Sequence, residues 1–371
     1  MLTRGAVLEE IGRSRPYATS RPISISEVEL AEPGPTEVLV RIEAAGICHS
    51  DLSVVDGNRV RPVPMLLGHE SAGRVVAVGS EVTDLRIGQR LVMTFLPRCG
   101  ECDGCLTDGR LPCAPGSVAN NEGTLMSGAR PITRDGETVH THLGVSGFAG
   151  HAIVDRRSVV PVDDDVPPEI AAVLGCAVLT GGGAVLNAAA PQPGESIMIL
   201  GLGGVGMAAL ITAVGRGVER IIAVDTLEAK LEQAREIGAH ETFTPQQVVE
   251  QGIRADKVVE CAGNARAFET AFTATRSGGT TVTIGLPAPS ARAELSPLLI
   301  TAEARTIVGS YLGSAVPSRD IPAYVEMWRA GQLPVEKLIS HRIRLDQINE
   351  AMDELAEGRA VRQIILMDEE E

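Results

Sequence analysis

A chain of 371 residues exceeds the roughly 250 to 300 at which a single hydrophobic core stops growing, so two domains are expected. Asp and Glu outnumber Lys and Arg by 48 to 33, a net charge of −15 that repels phosphate backbones and anionic membranes at long range. Nucleic acid is therefore not an expected partner, although a local cationic pocket for a phosphorylated cofactor remains open.

Hydrophobic residues make up 44%, yet no uninterrupted apolar run approaches the roughly 18 residues needed to span a bilayer. The opening MLTRGAVLEEIG carries acids where a signal peptide has its apolar centre. A cytoplasmic protein with no membrane partner is expected.

Residues 25–95 consist of short alternating or β-branched runs such as EVLVRIEAAGI and SAGRVVAVGSEV, separated by Gly, Pro and Asp turns. That texture predicts a β-rich domain. Within it lie Cys48 in GICHSDL, and His69 and Glu70 in LLGHESAG; Cys176 follows later in VLGCAVLTG. Two thiolates, one imidazole and an open fourth position describe a Cys₂His catalytic zinc site.

The stretch CGECDGCLTDGRLPC places Cys99, Cys102, Cys105 and Cys113 within fifteen residues. Seven cysteines in all, an odd number in a long chain of cytosolic character, argue against a disulfide framework. Four thiolates with no water position fit a closed tetrahedral zinc site whose binding energy folds a loop. An iron–sulfur cluster uses similar spacing, and thiol count alone does not separate the two.

From about residue 169 the texture changes. EIAAVLGCAVLTGGGAVLNAA predicts helix, and IMILGLGGVGMAALITAVGRG predicts buried strand, glycine turn and helix. In GLGGVG, Gly201 permits the tight turn, Gly203 lets backbone approach a pyrophosphate, and Gly206 allows close helix–strand packing; Gly204 and Val205 complete the loop. The following helix N-terminus offers N–H groups and a positive dipole end to phosphates. A second strand ends in Asp225, nineteen residues after Gly206, where a carboxylate would bind ribose hydroxyls and repel a 2′-phosphate. NAD is thus expected over NADP.

The helical LEAKLEQAREIGA and the strands KVVECAG and TTVTIGL continue an alternation typical of a parallel, doubly wound sheet. Beyond residue 311, helical IPAYVEMWRAGQ and LDQINEAMDELAEG precede a closing strand VRQIILMD, and the terminal DEEE is expected to be a solvated tail. The expected fold is α/β, a nucleotide-binding domain inserted between two parts of a β-rich domain. The expected boundaries are 1–177 and 311–371 for the β-rich catalytic domain and 178–310 for the NAD-binding Rossmann domain.

Taken together, GICHSDL, GHE, the four-Cys loop, LGCAVLTG, GLGGVG, AVD and VRQIIL resemble the zinc-dependent, medium-chain alcohol dehydrogenases of liver type, over roughly residues 25–367. Alcohol dehydrogenase is itself a reference case of the Cys₂His site. The resemblance implies a GroES-like catalytic domain carrying two zinc ions. Cys48, His69 and Cys176 would hold the catalytic zinc with Glu70 nearby, and Cys99, Cys102, Cys105 and Cys113 the structural one.

It further implies that Asp51 orients the ligand imidazole, that Ser50 takes the substrate's proton, and that Phe95 walls the substrate pocket. His49 and Arg362 would contact the cofactor pyrophosphate and Lys230 the adenosine ribose; Thr180 is also expected at the cofactor. Where the family's proton relay often ends in a histidine, this chain has Ser53, so another serine or a water would complete the path.

The long segment NNEGTLMSGARPITRDGETVHTHLG and the run TIVGSYLG resemble features of dimeric members, which implies a homodimer. The implied activity is reversible oxidation of a small primary or secondary alcohol to an aldehyde or ketone, zinc acting as Lewis acid. Polyol or S-(hydroxymethyl)glutathione dehydrogenases share the scaffold. DGNRVRPVPMLL lacks the acidic pair of the glutathione-dependent enzymes, which weakens that alternative. A non-enzymatic NAD-binding redox sensor would not need intact ligands around an open coordination position.

Overall fold

The run EVLVRIEAAGI forms the eleven-residue strand Glu37–Ile47, and the first part of the protein is organised around it. In this computed structural model residues 1–367 are described, and the DEEE tail lies outside the described residues. Glu37–Ile47 pairs antiparallel with Ser71–Val78, His151–Asp155 and the distant Gln363–Leu366 within a seven-stranded sheet. A second, six-stranded sheet contains Leu2–Leu8 and Ile23–Leu30. Inward β-branched and aliphatic side chains such as Val38, Val40, Ile42, Val75, Leu91 and Val154 fill one core. Another joins Ile47 and Leu52 to Ile348, Met352 and Ile365 near the C-terminus.

The chain divides into one unit made of Met1–Cys176 with Ile339–Glu371, and a second made of Ala177–Leu338. The return to the first unit therefore falls at 339, not at the expected 311. Residues 311–338 stay with the second unit because its own helices hold them. A Cβ on Gly182 would lie 2.9 Å from the ring of Tyr324, one on Gly183 would lie 2.3 Å from the Gly313 carbonyl, and Asn187 Nδ2 donates to that carbonyl at 3.3 Å.

The second unit is a six-stranded sheet, parallel throughout, in the order Glu241–Phe243, Arg220–Val224, Ser196–Leu200, Ala255–Glu260, Thr275–Thr283, Thr306–Gly309. In chain order this is 3-2-1-4-5-6, the doubly wound dinucleotide-binding order, with its reversal beside the first strand. SIMIL is buried along its whole length, as a central parallel strand covered on both faces requires.

EIAAVLGCAVLTGGGAVLNAA is helical, but not as a uniform α-helix. Pro168–Val173 and Leu179–Gly183 are α-helical, while Leu174–Val178 and Ala184–Ala189 widen into π-turns. At 22 residues, Pro168–Ala189 is long and apolar enough to cross a membrane, yet 83% of its apolar window is buried within the protein. Its composition is explained by core packing.

Candidate functional site

Cys48 ends the central strand and sits at the N-cap of the short helix His49–Val55 in an extended conformation. Asp51, in the first turn, turns back so that its Oδ2 accepts the Cys48 N–H at 3.0 Å. Its Oδ1 lies 2.9 Å from His69 Nδ1. One carboxylate therefore caps the helix and orients the imidazole, leaving His69 Nε2 turned toward Cys176 Sγ at 3.4 Å.

His69 follows Gly68, whose φ is +95° and where a Cβ would meet the Phe148 backbone nitrogen at 2.4 Å; only glycine delivers the imidazole here. Cys176 comes from the Leu174–Val178 π-turn, a distortion that recurs at functional sites because it re-aims a side chain.

Cys48, His69, Glu70 and Cys176 are all buried, with ligand atoms within 4.8 Å of one another, and both cysteines are free. The hydrogen bond from Cys176, with help from Arg362 and His69 and against burial, holds the Cys48 thiol well below its ordinary range; that same bond, with burial, pushes Cys176 well above it. A divalent cation bound here would take both sulfurs as thiolates.

Burial alone would disfavour a charged His69, but Asp51 and Cys48 raise it well above the usual imidazole range. Burial pushes Glu70 up to about 7, outweighing the guanidinium of Arg362. Glu70 Oε1 is buried with no hydrogen-bond partner, an unpaired acceptor at the cluster's edge. This donor set fits zinc: soft thiolates, an imidazole with its second nitrogen anchored, and a nearby carboxylate.

The four-Cys loop passes a sharper geometric test. Zinc–sulfur bonds of about 2.3 Å set tetrahedral sulfur–sulfur edges of about 3.8 Å. Cys99 and Cys105 sulfurs are 3.8 Å apart and those of Cys102 and Cys113 are 4.0 Å apart. Backbone N–H groups of Ala114 and Cys105 lower Cys102 to about 6, whereas burial raises Cys113 to about 12.

In the second unit, Gly201 has φ +95°, and a Cβ on Gly206 would stand 1.8 Å from the Gly201 carbonyl oxygen. Gly203 caps the helix Gly204–Gly215, which Gly204 and Val205 begin, and nothing lies within 4 Å of where its Cβ would be. Asp225 is nearly buried, its Oδ2 accepting from Leu202 N at 2.7 Å and its Oδ1 from Leu227 N at 3.0 Å. Lys230 and Thr180 are half-buried on the helices Glu228–Ile237 and Leu179–Gly183.

Phe95 stacks edge-on against His69, centroids 5.6 Å apart. His49 is exposed and Ser50 half-buried. Arg362 has a partner that sequence reasoning did not name. It is 2% exposed, and its Nη1 donates to Glu70 Oε2 at 2.8 Å and to the Ile47 carbonyl at 2.9 Å. Its charge is directed at the metal cluster's carboxylate. Ser53 directs its hydroxyl back onto the carbonyls of His49 and Ser50, the usual habit of a helical serine.

One residue in the site escapes sequence reasoning: His142 lies 3.2 Å from Asp51 and packs on His69. Its only signal was a histidine in HTHLG, with no ligand spacing to mark it.

Comparison with known proteins identifies the family. Residues 34–164 match the alcohol dehydrogenase GroES-like domain and residues 204–329 the zinc-binding dehydrogenase family. Alcohol dehydrogenase 1 of Pisum sativum is 33% identical over 365 residues, covering 95% of this chain and 96% of its own. Among solved structures, an alcohol dehydrogenase zinc-binding domain protein from Burkholderia ambifaria superposes with a TM-score of 0.91 at 31% identity, covering 99% of each chain. The benzyl alcohol dehydrogenase of Acinetobacter calcoaceticus gives 0.90 at 28%, covering 99% of this chain and all of the other.

Proposed function

Because the chain belongs to the zinc-dependent alcohol dehydrogenase family, oxidoreductases acting on alcohols, we propose that it reversibly oxidises primary or secondary alcohols with NAD, using one catalytic and one structural zinc. The observation that carries this reading is the buried Cys48–His69–Cys176 cluster, whose thiolates and imidazole converge while Asp51 fixes the ring.

When bound, zinc supplies Lewis-acid polarisation of the alcohol oxygen and the nicotinamide supplies the hydride acceptor. The protein's part is to hold and orient. Cys48, His69 and Cys176 hold the metal, and Phe95, packed on His69, keeps water off the imidazole. Ser50 Oγ takes the alcohol proton. Ser53 does not extend that route, its hydroxyl being occupied by helix carbonyls, so water is the next carrier.

The Glu70–Arg362 pair places compensating charge beside the metal cluster. Amides at the start of Gly204–Gly215 bind the cofactor phosphates, and Asp225 accepts from ribose hydroxyls and disfavours a 2′-phosphate. A cytoplasmic homodimer belongs to the same proposal. Among the described residues no strand pairs with the outer edge of Thr306–Gly309, and such an edge can accept a second copy.

The test is NADH formation by the zinc-loaded protein across simple, aromatic, terpenoid and polyol alcohols and the glutathione–formaldehyde adduct. Turnover of simple or aromatic alcohols is expected. Selective use of a polyol or the adduct would shift the substrate class, and NAD binding without any turnover would favour the sensor reading.

A further inference from the structure

Asp51 is surrounded by more donors than orientation of one imidazole requires. Its carboxylate is fully buried and already takes the Cys48 N–H on Oδ2 and His69 Nδ1 on Oδ1. Nδ1 of His142 stands 3.2 Å from that same Oδ1, tilted off the ideal hydrogen-bond axis. The His142 ring is 1% exposed and meets His69 edge-on, centroids 5.6 Å apart at 81°. Buried imidazole nitrogens in native proteins have partners, and Asp51 is the acceptor in reach.

The approach is built into the backbone. His142 N–H donates to Ser146 Oγ at 2.9 Å, and that hydroxyl donates to the Leu66 carbonyl at 2.8 Å, just ahead of His69. Leu143 and Ser146 both hold φ of 51°, a left-handed conformation that non-glycine residues keep only where the surroundings impose it. With its proton on Nδ1, the ring faces the carboxylate as a donor.

We propose that His142 is a positioning residue for the catalytic metal: as a second imidazole donor on Asp51 it pins the carboxylate plane, hence the His69 ring, and so sets how tightly zinc is retained by Cys48, His69 and Cys176. The inference rests on the zinc reading above. A carboxylate held from one side can swing about its terminal torsion. Held by a backbone amide and two imidazoles, it cannot do so without breaking a contact, and partners of this outer kind typically change metal affinity or activity 10- to 100-fold.

The experiment follows zinc release from the full-length, zinc-loaded protein into a colorimetric chelator, with visible absorption of the cobalt-substituted protein as a second signal. His142→Phe keeps the ring and removes the donor; His142→Asn places an amide N–H where Nδ1 was. His142→Phe is expected to shed one of its two zincs roughly tenfold faster, with the other unchanged and the cobalt bands shifted, while His142→Asn returns both signals toward wild type. Wild-type release and an unshifted spectrum in His142→Phe would overturn the proposal, as would equal losses in both variants, which would mean that ring volume alone matters. If the wild type holds only one zinc, the zinc reading fails first and takes this inference with it.

Discussion

Asp225 shows how much a single side chain is asked to do. Both of its oxygens already accept backbone amides, from Leu202 within the glycine loop and from Leu227 beyond the strand, so it shapes the loop in addition to the ribose contact proposed for it. Asp225→Gly should narrow the preference for NAD over NADP, measured as the ratio of kcat/KM with each cofactor. It should also cost about 1–3 kcal/mol in unfolding free energy, because the Leu202 N–H is left buried without an acceptor. An unchanged cofactor ratio would remove Asp225 from the specificity argument. The place of this residue at the end of the second strand was readable from sequence because the strand–glycine turn–helix–strand pattern has a fixed spacing. His142 and the Arg362–Glu70 pair were not, since the chain positions that meet at Asp51 and Glu70 are far apart and share no spacing rule.

Among elements, the four-Cys loop is the one that the proposed structural zinc would stabilise most. Between Cys99 and Cys113 the only regular element is the single turn Cys105–Thr107, and its large apolar side chains, Leu106 and Leu111, are 71% and 50% exposed. Beyond the bonds that Arg98 and Thr107 make to Gly104 and Leu111, the sulfurs are its main anchor, and zinc bound there would supply folding energy. Cys102→Ser is expected to lower the thermal midpoint, favour aggregation and reduce bound zinc to one per chain, while turnover per remaining zinc stays near wild type. An unaltered midpoint with two zincs retained would show the loop to be self-supporting. The helical stretch 168–189 teaches the opposite lesson. Its composition announced a helix, but the π-turn that carries Cys176 packs tightly at Gly175, where a Cβ would lie 2.0 Å from the Met93 carbonyl. That is a contact between segments, outside the reach of periodicity.

At the scale of the whole molecule, the first unit is discontinuous. Gln363–Leu366 enters the sheet beside Glu37–Ile47, Ile348 and Met352 share a core with Ile47 and Leu52, and Arg362 neutralises Glu70. A chain ending at Leu338 should therefore lose the catalytic zinc and the near-ultraviolet circular dichroism of a packed first unit; two zincs and a native spectrum in that truncation would contradict the assembly described. The sequence by itself determined the two-unit α/β organisation, both cysteine sets, the glycine loop and its acidic partner, because each depends on residue type at short or fixed spacing. The tertiary structure alone decided that the second unit runs to Leu338, that Ser53 spends its hydroxyl on its own helix, that Arg362 points at Glu70, and that His142 stands against Asp51. Except for the Ser53 bond, which is local to its helix, those facts depend on which distant segments pack together, and packing is set by shape and burial that no local pattern encodes.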